Sequence, residues 1–218
     1  MILYGSTFSP FVRKVAIYVA ERGIEVEMRS LGKSFEDADP DFLACSPARK
    51  IPAMRDGDYT LADSSAIIHY LEAKHGASSM LPTEAEARGT TIWFEEYGDT
   101  ILFPVAASIF FNRFVAPVFM GREGNAEVAD KAEAEGLPPL LDYLEGLYGD
   151  GREWLVGDAM TIADMAVLCP FLSLRHAGGY RQAADYPALE AQIDKLAARP
   201  SVAPILAREE AIKQKLGV

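Results

Sequence analysis

Lys50-Ile51-Pro52-Ala53-Met54-Arg55-Asp56-Gly57-Asp58-Tyr59-Thr60-Leu61-Ala62-Asp63-Ser64-Ser65-Ala66-Ile67-Ile68-His69-Tyr70-Leu71-Glu72 decides the fold. It reads as a proline at a strand start, a hairpin, a second short strand and a helix start. Asp56-Gly57 signals a two-residue type I′ turn, because residues tolerant of positive φ are needed there. Asp63-Ser64 opens a helix whose apolar positions Ile67, Ile68 and Leu71 recur at helical spacing. A proline at a strand edge leaves neighbouring backbone groups to pair outside the sheet. A hydroxyl and free amides at a helix N-terminus suit a carboxylate. Together these features make a site for an extended small peptide with a free acid group.

Working outward, Ile2-Leu3-Tyr4 is a short apolar strand. A helix is expected from Pro10 to about Arg22, with Val12, Val15, Ala16, Val19 and Ala20 on one face and Gly23 as its stop. Glu25 to Leu31 alternates as a second strand, and Asp39-Pro40 starts a short helical turn carrying Phe42 and Leu43. The order is β-α-β-α-β-β-α. Ala77 to Thr83 reads as a linker. Beyond Glu84 the pattern is wholly helical, with periodic segments over 93–114, 126–147, 163–175, 189–198 and 202–215. Thr161 with Asp164 is a variant capping box. Two domains are therefore expected, an α/β domain over 1–77 and an all-helical domain over 84–218.

The chain of 218 residues is half hydrophobic and 24% charged, so it can bury a core. A net charge of −11 argues against nucleic acid and anionic membrane surfaces. No apolar run is expected to reach the ~18 residues of a membrane span. The N-terminus lacks a signal-peptide pattern. Cys45 and Cys169 share no metal or redox spacing, which fits a reducing cytoplasm. His69, His75 and His176 are isolated, and no cluster has metal-site spacing, so no metal is expected.

The block around Pro52 resembles the glutathione-binding half of the cytosolic glutathione transferases. In that family an aliphatic-Pro pair with a cis proline faces the cysteinyl backbone of glutathione, and an acidic-Ser pair binds the γ-glutamyl end. The spacing from Pro52 to Asp63 and Ser64 matches, and the Thr161-Ile162-Ala163-Asp164 run extends the likeness into the helical half. The resemblance implies a thioredoxin-like first domain and an all-α second domain that contributes the electrophile site. It implies glutathione as co-substrate, a small hydrophobic electrophile and a homodimer. Ile51 and Pro52 would meet the peptide, Lys50 the glycyl carboxylate, and Asp63 and Ser64 the γ-glutamyl end. Lys33 and Ser34 stand where the family often has another glycyl contact, but loop lengths differ and they are not carried over. A cap alone is an equally good reading of Asp63, and a solvated turn of Lys50.

The chemistry needs one positioned hydroxyl. A free thiol has a pKa of about 8.5, and the thiolate is the nucleophile. Lowering that pKa by about two units requires roughly 2.7 kcal/mol of preferential thiolate stabilisation. A neutral donor near a helix N-terminus can supply much of it. Ser6, Thr7 and Ser9 offer such donors, and Ser9 also suits the N-cap before Pro10. Serine-type transferases (theta, tau and phi-like) place the catalytic Ser four residues before an Arg, as Ser9 stands before Arg13. The resemblance therefore selects Ser9 over Thr7, Ser6 and Tyr4. The family's second-substrate site implies an electrophile pocket built from Phe8, Phe11, Phe103, Phe110, Phe111 and Phe114, for each of which core packing competes. Asn112 and Arg113 are further candidates for a polar substrate contact. The alternatives are a glutathione-dependent dehalogenase, thioether-cleaving enzyme or isomerase of the same fold, or a non-catalytic binding member.

Overall fold

Short apolar runs near the N-terminus fold as a mixed sheet. In the computed structural model, which describes residues 1–31 and 38–218, β1 (Ile2–Tyr4) and β2 (Glu27–Arg29) pair in parallel. β1 pairs antiparallel with β3 (Ala53–Asp56), and β3 with β4 (Tyr59–Ala62). The strand order is β2-β1-β3-β4. A parallel pair needs a crossover, and α1 (Pro10–Glu21) supplies it. With α2 (Pro40–Cys45) and α3 (Ser64–His75), this is the thioredoxin-like order expected above. The unit spans Met1–Ser78.

Two local readings are corrected. The hairpin loop is Gly57-Asp58, one residue later than expected, because Asp56 pairs with Tyr59 inside the ladder. Asp56 is held in β3 by its carboxylate, which accepts from Tyr70 Oη at 2.8 Å and from Lys74 Nζ. Gly57 has φ 60° whereas Asp58 has no positive φ, which fits a turn needing glycine only at its first position. Secondly, α1 is not one-sided. Every residue from Val12 to Val19 is buried, Arg13 and Lys14 included, while Ala20 is exposed.

The second unit, Ser79–Val218, is helical. α4 runs unbroken over Ala85–Phe119, widened by π turns at Tyr97–Leu102 and Phe111–Val115. α5 (Ala126–Lys131) passes through another π turn towards α6 (Pro138–Tyr148). α7 (Ile162–His176), α8 (Pro187–Ala197) and α9 (Ala203–Leu216) follow. α7 is the core helix, buried continuously from Ile162 to Leu174. Its start is held by Asp164, which accepts from the N–H groups of Thr161 and Leu155, both at 2.8 Å. Burial pushes the Asp164 carboxyl up, against those bonds. Glu145 on α6 similarly caps α8 through the N–H groups of Ala188 (3.0 Å) and Leu189 (2.8 Å).

One expectation about apolar runs also changes. α4 contains an 18-residue window of mean hydropathy 1.7, long and apolar enough to cross a membrane by length and composition. No unbroken apolar run marks it in the sequence, because polar residues such as Asp99, Asn112 and Arg113 punctuate the helix. A core helix passes the same test, and α4 packs along α7.

Candidate functional site

Three segments of the first unit converge: the loop after β1, the turn before β3 and the start of α3. Gly5 permits the first approach. It has φ +139°, and a Cβ there would lie 2.6 Å from Val12 Cγ2 and 3.3 Å from Ile51 Cβ. Only glycine lets this loop lie so close to both α1 and Ile51. The sequence reading missed it; its position directly after the first strand was the available signal.

Ser9 occupies the N-cap of α1 with extended backbone (φ −71°, ψ 126°), and Pro10 takes the first helical position. Its side chain makes no cap hydrogen bond. The half-buried hydroxyl is therefore not spent on the helix, and it lies where the helix dipole favours negative charge. Thr7 is half-buried and Ser6 exposed on the same loop. Tyr4 is turned away into a core cluster with Phe42, Cys45 and Ala53, its ring 6.1 Å from that of Phe42. Burial also pushes the Cys45 thiol up, which keeps it protonated and inert.

Before β3, Ser46 builds the turn. Its fully buried hydroxyl accepts from the Lys50 N–H at 2.9 Å and donates to the Lys50 carbonyl at 2.8 Å. The loop thus delivers Lys50 with an exposed side chain, followed by Ile51 and buried Pro52. The Ile51–Pro52 bond is cis, as expected. Nothing in the sequence reading had singled out Ser46.

At α3, Asp63 has an unusual φ of 82° for a residue other than glycine. Its Oδ1 accepts from the Ser65 and Ala66 N–H groups at 2.9 and 3.1 Å, so the carboxylate is a true N-cap. Ser64 is only 2% exposed. α3 thus begins with an exposed carboxylate, a buried serine and helix-end amides. Such a constellation suits a ligand end carrying both an ammonium and a carboxylate.

The description "Glutathione S-transferase, N-terminal domain" matches residues 3–79, and "Glutathione S-transferase, C-terminal domain" matches residues 110–209. The chain belongs to the glutathione S-transferase family. Glutathione S-transferase 3 of Zea mays is 32% identical over 91% of this chain and 90% of its own length. Glutathione S-transferase theta-3 of Mus musculus is 28% identical over 81% of this chain and 73% of its own. The solved structure of a glutathione S-transferase-I bound with lactoylglutathione superposes with a TM-score of 0.81 at 25% identity, covering 94% of this chain and 98% of that one.

The aromatic candidates of this glutathione S-transferase differ in how they are used. Phe110 and Phe114 are buried and stacked on each other, with centroids 5.5 Å apart, and Phe114 also stacks on His176 at 5.6 Å. Phe8 is buried as well, whereas Phe11, Phe103 and Phe111 are half-buried. Asn112 and Arg113 are spent on structure, contrary to their candidacy. Asn112 donates to the Ser108 carbonyl and accepts from the Asn125 N–H, both at 2.8 Å. Arg113 pairs with Asp130 at 2.8 Å and Glu133 at 2.7 Å. Lys33 and Ser34 lie outside the described residues. Among the described residues, no group of three or more His, Cys, Asp or Glu is set to hold a metal ion.

Proposed function

We propose that this transferase joins the thiolate of glutathione to hydrophobic electrophiles, with Ser9 stabilising the thiolate. The observation that carries the reading is the Ser9 hydroxyl, left without a cap bond at the start of α1. A donor there lowers the thiol pKa because it bonds the anion more strongly than the neutral thiol. The backbone of Ile51, beside Pro52, docks the cysteinyl residue. Lys50 reaches the glycyl carboxylate. Asp63 keeps one carboxylate oxygen for the γ-glutamyl amine while the other caps α3, and Ser64 donates to the γ-glutamyl carboxylate. The helical unit supplies the electrophile site, for which half-buried Phe103 and Phe111 are better suited than Phe110 and Phe114. The family supports a homodimer acting in cytoplasmic detoxification. Trp93 and Tyr143, 51% and 41% exposed on the helical unit, leave aromatic surface available to a second copy.

The test is retention on immobilised glutathione, then turnover of chlorodinitrobenzene and a panel of other electrophiles. Retention with turnover supports the reading. Retention without turnover of any electrophile leaves a glutathione-binding protein, and no retention removes the reading altogether.

A further inference from the structure

The segment between α4 and α5 folds back tightly on α4. A Cβ at Gly124 would collide with the Asn112 carbonyl oxygen, so only glycine fits there. The next residue, Asn125, donates its N–H to Asn112 Oδ1 at 2.8 Å. Gly121, at φ 59°, turns the chain out of α4, and the Arg122 N–H returns to the Ala116 carbonyl at 3.2 Å. Asn112 itself stands in the π turn Phe111–Val115, and single π turns inside helices recur at functional sites. The fold-back places Arg122. Its guanidinium carbon lies over the ring of half-buried Phe111, 5.4 Å from the centroid, a distance that suits a cation–π contact. An aromatic face attracts a cation without neutralising it. The exposed guanidinium therefore still presents its charge and its planar fork of donors.

We infer that Arg122 sets substrate preference at the electrophile site, in favour of aromatic electrophiles that carry a carboxylate. The inference rests on the reading above, in which Phe111 lines that site. The ring of such a substrate meets the apolar Phe111, and its anionic group meets the guanidinium at the rim. Apolar burial alone discriminates poorly between a neutral ring and its carboxylated analogue, whereas a fixed cation separates them by charge. In the conjugation of an aryl chloride the glutathione sulfur bonds to the ring carbon, and chloride leaves with the electrons of the broken bond. Arg122 takes no part in that exchange and acts only on which ring is held.

The test compares chlorodinitrobenzene with chlorodinitrobenzoate, which carries the same ring substituents and a carboxylate. The ratio of their kcat/KM values within each variant cancels effects on glutathione binding and on folding. Arg122→Met should lower the ratio of carboxylated to neutral turnover by about 5- to 30-fold, less than the full worth of a charge-assisted hydrogen bond because the rim is solvated. Arg122→Lys keeps the charge and should recover much of the ratio, and added salt should narrow the preference. An unchanged ratio in Arg122→Met, or a fall that Arg122→Lys does not recover, overturns the inference. So does a wild-type protein that conjugates the neutral electrophile but not the carboxylated one. A wild-type protein that is retained on immobilised glutathione yet conjugates neither overturns the conjugation reading, and this inference with it.

Discussion

Ser46 Oγ clasps the backbone of Lys50 from both sides, accepting from its N–H at 2.9 Å and donating to its carbonyl at 2.8 Å. The loop between them includes Arg49, held at φ 55°. Ser46→Ala leaves both backbone groups of Lys50 without this partner. It should cost about 1–3 kcal/mol of stability. Because Lys50 and Ile51 are placed by the same loop, glutathione binding should weaken as well. Urea unfolding measures the first effect and calorimetry the second. Unchanged binding alongside lost stability would mean that the loop recovers its bound shape without Ser46.

Asp63 combines two jobs that substitution can separate. Asp63→Ala removes both cap bonds at a backbone conformation that already disfavours a Cβ, and should destabilise by about 1–3 kcal/mol. Asp63→Asn keeps a good capping oxygen but loses the charge proposed to meet the γ-glutamyl amine. It should melt close to wild type yet bind glutathione more weakly. Wild-type affinity in Asp63→Asn would leave Asp63 as a cap and nothing more.

In the helical unit Glu133 should govern part of the acid sensitivity. Burial pushes its carboxyl up, but hydrogen bonds from Arg113 and from the Arg181 N–H prevail and hold it below the ordinary 4.5. The folded-state pKa is thus lower than the unfolded one. Its stabilising contribution is present in full above the ordinary carboxylate range and is lost as pH falls through the depressed value. Glu133→Gln should cost about 1.5–3 kcal/mol near neutral pH, the worth of hydrogen bonds to a charged group. That difference should narrow as the pH drops below the carboxylate range. A gap of constant size in unfolding free energy across this window would be the contrary result.

The parts legible in the sequence were those set by local chemistry. Pro10 and Gly23 bracketed α1, the apolar rhythm after Asp63 announced α3, and Thr161 with Asp164 marked the start of α7. The parts hidden from it depended on what a residue meets across the fold. Lys14 was invisible as a buried group because its partner Ser65 lies 51 positions away. Ser46 looked like an ordinary turn residue. The hairpin slipped by one position because Tyr70 and Lys74, on another element, hold Asp56 in the strand. The π turns of α4 also escaped detection, since periodicity does not report a single widened turn. For the site, the sequence brought forward Lys50, Ile51, Pro52, Asp63, Ser64 and Ser9, but not Gly5, which lets two of their segments approach.

Ser9 supplies the most discriminating experiment. If its hydroxyl donates to the thiolate, Ser9→Ala should raise the pKa of bound glutathione toward the free value. Turnover near neutral pH should fall roughly 10- to 100-fold, the cost of one hydrogen bond to a charged acceptor. Binding should change little, because the neutral thiol gains less from the same donor. The sign with pH follows: as solvent deprotonates the sulfur unaided, the defect shrinks toward alkaline pH. The usual confounding loss of about 1 kcal/mol for a removed cap should be absent, since Ser9 makes no cap bond. Thermal melting should therefore be close to wild type. Thr7→Ala and Tyr4→Phe are the controls and should leave the thiol pKa in place. A wild-type thiol pKa in Ser9→Ala, with a raised one in Thr7→Ala, would move the activating hydroxyl two residues upstream and leave the glutathione site itself standing.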